Sequence, residues 1–135
     1  MNKTFLKAGA LLGALAVALG AFGAHGLKKI VDEDTLAIFQ AAVQYQMYHA
    51  LALLATGVIY EKFPNQWLNR AGLAFIIGII LFSGSLYLLT ALKAAGETGL
   101  NAAGIVTPFG GVAFIAGWCF ILLGIIKSDT SERKF

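Results

Sequence analysis

The sequence predicts an all-α fold: a four-helix bundle embedded in a membrane, forming one domain over residues 1–135. Hydrophobic residues make up 59% of the chain and charged residues 13%, which is about half of the charged share of a soluble domain. Four long apolar runs, separated by short polar segments, have lengths suited to crossing a bilayer. So short a chain leaves no length for a separate soluble catalytic domain or a nucleic-acid-binding module.

The first predicted helix covers about residues 5–26. Its apolar run over residues 8–24 is longer than the core of a usual secretory signal, so we expect a retained transmembrane helix rather than a cleaved leader. Small residues recur along this helix at a spacing of four: Gly9 and Gly13, then Ala16, Gly20 and Ala24. Such stripes let helix backbones approach closely in lipid.

The second predicted helix covers about residues 35–60 and follows a capping residue, either Asp32 or Asp34. On a helical wheel its polar side chains fall within an arc of about 140°: Gln44, Tyr45, Tyr48, His49 and Thr56. The opposite arc is apolar: Phe39, Val43, Met47, Leu53 and Leu54. Polar groups at membrane depth need hydrogen-bond partners, so we expect the polar arc to face protein or a small aqueous cavity.

The third predicted helix covers about residues 71–92. Ser83, Tyr87 and Thr90 share one of its faces, at spacings of four and three. Trp67 lies in the polar turn before this helix and is expected to anchor that turn at the membrane interface.

The fourth predicted helix covers about residues 108–126. Thr107 is expected as its N-cap and Pro108 in its first turn. A threonine side chain can accept a hydrogen bond from a free amide of the first turn, and proline is tolerated there because first-turn amides have no partner within the helix. Trp118, halfway along, is interpreted as core filling. A close-packing stripe is predicted on small residues: Gly110, Ala113, Gly117 and Gly124.

The distribution of Lys and Arg predicts that both chain termini are cytoplasmic. One side of the predicted topology carries seven of these residues: Lys3, Lys7, Lys62, Arg70, Lys127, Arg133 and Lys134. The other side carries three: Lys28, Lys29 and Lys93.

With that orientation the polar residues of the helices gather in the outer half of the membrane. The set comprises His25, Gln44, Tyr45, Tyr48, His49, Ser83, Ser85, Tyr87 and Thr107. We infer a polar cluster, or a shallow cavity open to the outer leaflet, between the four helices. Two interpretations remain open: a hydrogen-bond network that holds the helices in register, or a site for a small molecule, lipid headgroup, ion or partner.

Several chemistries lack the residues they require. No acidic or basic residue lies in the middle of a predicted helix, and no catalytic arrangement is available within the membrane, so we expect no catalytic residue. The single cysteine, Cys119, permits no disulfide within the chain. Two histidines fall short of a zinc site. His25 and His49 are the only imidazoles that could ligate haem, and they lie at different depths, so no metal or cofactor is expected.

Four motifs resemble domain-of-unknown-function family 423: GAFGAHGL at 20–27, YQMYHALALL at 45–54, FSGSLYLL at 82–89 and TPFGG at 107–111. This family consists of small four-helix bacterial membrane proteins, which are similar also to eukaryotic transmembrane protein 256. The match runs in order along essentially the whole chain. It implies a multi-pass protein of the bacterial plasma (inner) membrane, and it brings no activity, substrate or catalytic residue.

Three functional hypotheses follow. The first is a non-enzymatic accessory subunit or small homo-oligomer whose partners are membrane lipids, further copies or a larger membrane-protein complex, with no nucleic acid. The second is a carrier or binding protein for a lipid or small polar molecule in an outer-leaflet cavity. The third, and least favoured, is a haem or redox module that uses His25 and His49.

Overall fold

The computed structural model describes residues 1–97 and 101–132, and within them it contains helices and turns but no strand. The helices are α1 (Lys3–His25), α2 (Glu33–Lys62), α3 (Gln66–Gly78), α4 (Gly84–Ala94) and α5 (Asn101–Glu132). A π-helical turn of five residues, Ile79–Ser83, joins α3 and α4 into one continuous helix. The chain therefore forms four long helices, and the predicted all-α four-helix fold is confirmed.

Three of these long helices are apolar enough to cross a membrane: Lys3–Lys29, Gln66–Ala94 and Ala102–Thr130. The remaining helix, α2, has 30 residues and spans about 45 Å at 1.5 Å per residue. It is long enough to cross but more polar than the others. It lies along α1 on one side and against α3, the π turn and α4 on another, while α5 packs mainly on the α3–α4 helix.

Short polar side chains cap the starts of α1, α2 and α3: Asn2, Asp32 and Asn65. Asn2 accepts a hydrogen bond from the Phe5 amide at 3.2 Å, and Asp32 accepts one from the Thr35 amide at 2.7 Å. Asp32 is one of the two caps that the sequence predicted for α2. Hydrogen bonding to the Thr35 side chain, and then to its amide, lowers the pKa of the Asp32 carboxyl because both bonds favour the ionised form.

The predicted start of the fourth helix is wrong. Helix α5 begins at Asn101, so Pro108 lies inside the helix rather than in its first turn. Thr107 is not an N-cap: its hydroxyl lies 3.2 Å from the Ala103 carbonyl oxygen, one turn back in the same helix, and 2.6 Å from the Ser85 hydroxyl. Proline removes one helical hydrogen bond, yet α5 continues through Pro108, with the Thr107 side chain in contact with α4.

Some sequence predictions fall outside the residues that the structure describes. The loop predicted over residues 93–104 includes residues 98–100, which are not described, and α5 already occupies its last part. Arg133 and Lys134, which were counted for the membrane orientation, also lie outside the described part. The cytoplasmic placement of the termini therefore stays a prediction.

Aromatic rings seated on glycines build the core. The Phe5 ring covers Gly72, so that a side chain on this glycine would overlap the ring. A Cβ atom on Gly117 would lie 2.6 Å from the Phe75 ring, and one on Gly110 would lie 2.7 Å from the Phe82 Cα atom. The small residues predicted as a stripe on the fourth helix thus mark where α5 meets the α3–α4 helix.

Candidate functional site

Gln46 connects three helices in the interior of the bundle. Its side chain is 3% exposed. The amide nitrogen donates to the Leu12 carbonyl of α1 at 2.8 Å, and the amide oxygen accepts from the Tyr87 hydroxyl of α4 at 2.6 Å. The polar arc of the helical wheel does not include Gln46. The signal that marks it is its spacing from Ala42 and Ala50, which are buried on the same face of α2.

His49 lies one turn further along the same face and is 5% exposed. Its Nδ1 atom is 2.7 Å from the Tyr45 carbonyl oxygen, and its Nε2 atom is 3.1 Å from the indole nitrogen of Trp118. A carbonyl oxygen only accepts and an indole only donates, so we assign the hydrogen of the neutral ring to Nδ1. The imidazole also stacks on Phe114, with ring centroids 3.5 Å apart and planes 8° apart.

These contacts bear on the haem hypothesis. Both ring nitrogens of His49 are already hydrogen-bonded, so an iron ligand would have to displace Trp118 or break the bond to Tyr45. His25 is exposed at the end of α1 and does not share this site. Within the described residues, no group of three His, Cys, Asp or Glu side chains comes together as a metal site.

Hydroxyl groups around the π turn tie three elements together. Ser83 donates to the Ala42 carbonyl of α2 at 2.7 Å. The Ser85 hydroxyl lies 2.9 Å from the Phe82 carbonyl oxygen and 2.6 Å from the Thr107 hydroxyl of α5, and one of the two hydroxyls donates to the other. The π turn, in which the Gly84 amide bonds the Ile79 carbonyl, thus presents one serine to α2 and the next to α5.

We call this set the buried network, and it consists of Gln46, His49, Ser83, Ser85, Tyr87, Thr107 and Trp118. Five of its members come from the predicted cluster, while Gln46 and Trp118 do not. Trp118 is 51% exposed, so it borders the bundle instead of filling the core, with its ring against Phe75 and its indole N–H bonded to His49. Within the described residues, no buried side-chain nitrogen or oxygen lacks a hydrogen-bond partner. The buried network therefore satisfies itself.

The structure corrects the predicted orientation of α2. Gln44 and Tyr48 point away from the bundle, and Tyr48 is 55% exposed. Tyr45 lies at the edge, with its ring 4.6 Å from that of Phe82. Phe39 and Leu53, expected to face lipid, are buried. The reason is the small size of three side chains: Ala42, Ala50 and Gly57 let the neighbouring helices approach one face of α2 closely. Other residues on that same face are buried with them.

A stripe of polar side chains results on the outside of the molecule. Gln40, Gln44 and Tyr48 follow one another at a spacing of four, and all three are exposed. We call these three residues the exposed stripe. Beside it, a groove of about 330 Å³ runs between α1 and α2, lined by Gly20, Gly23, Phe39, Gln40, Val43 and Gln44.

Comparison with known proteins identifies the family. The model of a family described as "Protein of unknown function (DUF423)" matches residues 19–111. The chain is 41% identical over 126 residues to the UPF0382 membrane protein YwdK of Bacillus subtilis, covering 93% of this chain and 98% of that protein. It is 38% identical over 126 residues to the UPF0382 inner membrane protein YgdD of Escherichia coli, covering 93% and 92%. No solved structure matches.

The chain belongs to the DUF423 family, which confirms the resemblance drawn from the four sequence motifs. It is a protein of the bacterial inner membrane. The family is one of membrane proteins of unknown function, so function has to be argued from the geometry.

Proposed function

We propose that this DUF423 protein is a non-enzymatic membrane protein that acts by association, and that α2 forms its contact surface with a second copy of the chain. The observation that carries the proposal is the exposed stripe. Gln40, Gln44 and Tyr48 present three polar groups on the outside of a membrane helix, on the surface where the other long helices present apolar side chains.

The depth of these residues makes the exposure costly. Gln44 lies about 16 Å along the axis from Glu33, the first residue of α2, at 1.5 Å per residue. Because α2 is about 15 Å longer than a hydrocarbon layer about 30 Å thick, a centred α2 places Gln44 about 9 Å below the surface of that layer. An amide without partners in hydrocarbon costs several kcal/mol. A protein surface that covers the stripe and forms hydrogen bonds with its polar side chains removes this cost.

A second copy is the occupant whose chemistry fits best. A glutamine amide both donates and accepts hydrogen bonds, so the same residue on a two-fold-related copy is its complement. The groove of about 330 Å³ beside the stripe leaves room for side chains of the partner helix. Small residues next to polar ones are the usual composition of helix–helix contacts in membranes.

The buried network supports a structural role inside each copy. Gln46 links α2 to α1 and α4, Ser83 links the π turn to α2, and Ser85 links α4 to α5. Each hydroxyl, amide and imidazole of the network is hydrogen-bonded to another group of the chain. We infer that these bonds hold the helices in register, which favours association over the carrier hypothesis.

Disulfide crosslinking in native membranes tests the association. Cys119 is changed to Ala, and one cysteine is introduced at Gln44 on the stripe or at Val112 on the exposed face of α5. The two positions lie near the same level, because Gly110 packs on Phe82 and Ser83 bonds Ala42. We expect oxidation to give crosslinked dimers from Gln44→Cys and few from Val112→Cys.

Two results would contradict the proposal. Equal crosslinking at both positions would indicate random collision, and no crosslinking at Gln44→Cys would remove α2 as the contact. Native mass spectrometry in a mild detergent complements the test: a monomer that retains a stoichiometric small molecule would favour the carrier hypothesis instead.

A further inference from the structure

Basic side chains converge on one tryptophan at the end of the bundle where the α2–α3 turn meets the end of α5. The Arg70 guanidinium carbon lies 4.8 Å from the centre of the Trp67 ring, and the Lys127 ammonium nitrogen lies 4.6 Å from it. Such cation–π contacts hold charged groups beside an aromatic face. Neither the buried network nor the exposed stripe includes any of these residues.

A pocket of about 400 Å³ opens beside this tryptophan. Its lining includes Lys62, Asn65, Gln66, Trp67, Lys127 and Ser128, and no acidic residue lines it among the residues that the structure describes. Two ammonium groups and the Gln66 amide therefore supply hydrogen-bond donors to one cavity, while the Asn65 amide and the Ser128 hydroxyl already donate to the Gly124 carbonyl. This combination of positive charge and hydrogen-bond donors is suited to an oxyanion.

Hydrogen bonds of Asn65 hold one wall of the pocket in place. The Asn65 amide nitrogen donates to the Gly124 carbonyl at 3.2 Å and to the Ser128 hydroxyl at 3.3 Å, which ties the α2–α3 turn to α5. Its oxygen accepts from the amides of Trp67 and Leu68. Those amides at the start of α3 are thus already satisfied, and the attraction for an anion comes from the lysines.

The position of the pocket indicates what kind of anion it meets. Trp67 ends a polar turn and begins a membrane-spanning helix, at the level where tryptophans sit among lipid headgroups. Leu68, the next residue, is fully buried in the bundle. A ligand in this pocket would therefore lie beside the headgroup layer, with Lys62 and Lys127 on the water side.

We propose that this pocket binds the phosphate group of an anionic phospholipid. Lys62 and Lys127 donate to the phosphate oxygens, and the Trp67 ring lies against the glycerol region. A zwitterionic lipid carries the same phosphate together with a cation that the lysines repel, so the pocket selects lipids with net negative charge. Inorganic phosphate shares the oxyanion chemistry and is the other source that the test distinguishes.

Native mass spectrometry of the detergent-solubilised full chain, titrated with phosphatidylglycerol, phosphatidylcholine or sodium phosphate, measures the binding. We compare the double variant Lys62→Gln/Lys127→Gln with Lys3→Gln/Lys7→Gln. The control removes the same charge from the same end of the bundle, because Asn2 bonds Asn69 there. We expect the first variant to bind phosphatidylglycerol about thirtyfold more weakly, since each basic residue beside an anionic surface contributes roughly fivefold, and the control to bind like the natural protein.

Three results would overturn the proposal. They are equal binding of phosphatidylglycerol and phosphatidylcholine, equal losses in the two double variants, and displacement of the lipid by millimolar phosphate. The last result would assign the pocket to the free anion. Thermal unfolding in a neutral detergent separates binding from folding: Lys62→Gln/Lys127→Gln is expected to unfold close to the temperature of the natural protein, because both side chains are exposed and the lost cation–π contact of Lys127 lies at the surface.

Discussion

Gln44 and Gln46 are the same residue type, two positions apart on one helix, and their surroundings are opposite. Gln46 is buried and hydrogen-bonded to both α1 and α4. Gln44 is exposed and belongs to a stripe that faces away from the bundle. The difference teaches that polarity does not decide which face of a membrane helix turns inward, because lipid and the apolar interior are similar environments for most side chains.

The size of the neighbours decides it instead. Ala42, Ala50 and Gly57 lie on the side of α2 that contacts the other helices, and a Cβ atom on Gly57 would come within 2.9 Å of Leu6. Close approach there increases dispersion contacts along the whole interface. Gln46 and His49 are buried because they share that face, and the bundle supplies hydrogen bonds for each. Gln44 lies on the other face and has to find its partners elsewhere.

The largest expected effect comes from enlarging a small residue at such a contact. In Gly110→Ala the new Cβ atom would lie 2.7 Å from the Phe82 Cα atom. Backbone cannot yield as a flexible side chain does, so we expect a loss of about 3 kcal/mol or more in the free energy of unfolding. Detergent-induced unfolding followed by circular dichroism measures it.

Gly104→Ala is the matched control on the same helix. No atom lies within 4 Å of the position that its Cβ would take, and alanine is a better helix former than glycine by about 0.8 to 1.0 kcal/mol. We expect this variant to be as stable as the natural protein or slightly more so. Similar losses in the two variants would show that helix contacts are not what orients the bundle.

The two glutamines provide the second test. Gln46→Leu leaves the Tyr87 hydroxyl and the Leu12 carbonyl without their partner, so we expect a loss of about 1 to 3 kcal/mol in the free energy of unfolding. Gln44→Leu is expected to leave the stability of the single chain unchanged, because its side chain makes no contact that holds the bundle.

A repair variant makes this test sharper. Adding Tyr87→Phe to Gln46→Leu removes the unpaired hydroxyl, and we expect part of the lost stability to return. If Gln44→Leu destabilises the monomeric chain as much as Gln46→Leu does, the contrast between the two faces of α2 is wrong.

The smallest expected effect concerns Trp118, which is half exposed and bonds His49 from the rim of the bundle. Trp118→Phe keeps an aromatic ring and removes the indole N–H, so we expect a loss of about 0.6 kcal/mol, the average for a hydrogen bond between membrane helices. In a His49→Leu background the same change is expected to cost less, because the acceptor is already absent. Equal costs in both backgrounds would show that the hydrogen bond contributes nothing.

Much of the fold could be predicted from local patterns. The number of long helices and the membrane-spanning character of three of them follow from runs of apolar residues. The cap of α2 was narrowed to Asp32 or Asp34, and the structure has it at Asp32. The start of α5 could not be predicted in this way. Pro108 is a strong local signal for a helix start, but α5 begins at Asn101 and continues through the proline.

Part of the candidate site could also be predicted. Ser83, Ser85, Tyr87 and Thr107 lie in the interior with His49, as their motifs indicated. The helical wheel predicts Gln44 and not Gln46 for the site, because a wheel that groups polar residues places the cluster on the more polar arc. The contribution of Trp118 depends on a contact between residues 69 positions apart, for which the sequence contains no signal.

The sequence alone predicts the membrane environment and the four long helices, because apolar runs and the polar residues that interrupt them are local features of the chain. Only the tertiary structure decided which face of α2 is buried and which polar groups find partners. Those outcomes depend on where glycines and alanines of one helix meet large side chains of another, as Gly72 meets Phe5 and Gly117 meets Phe75. In a membrane the hydrophobic effect does not orient the helices, so the fit between distant surfaces makes that choice.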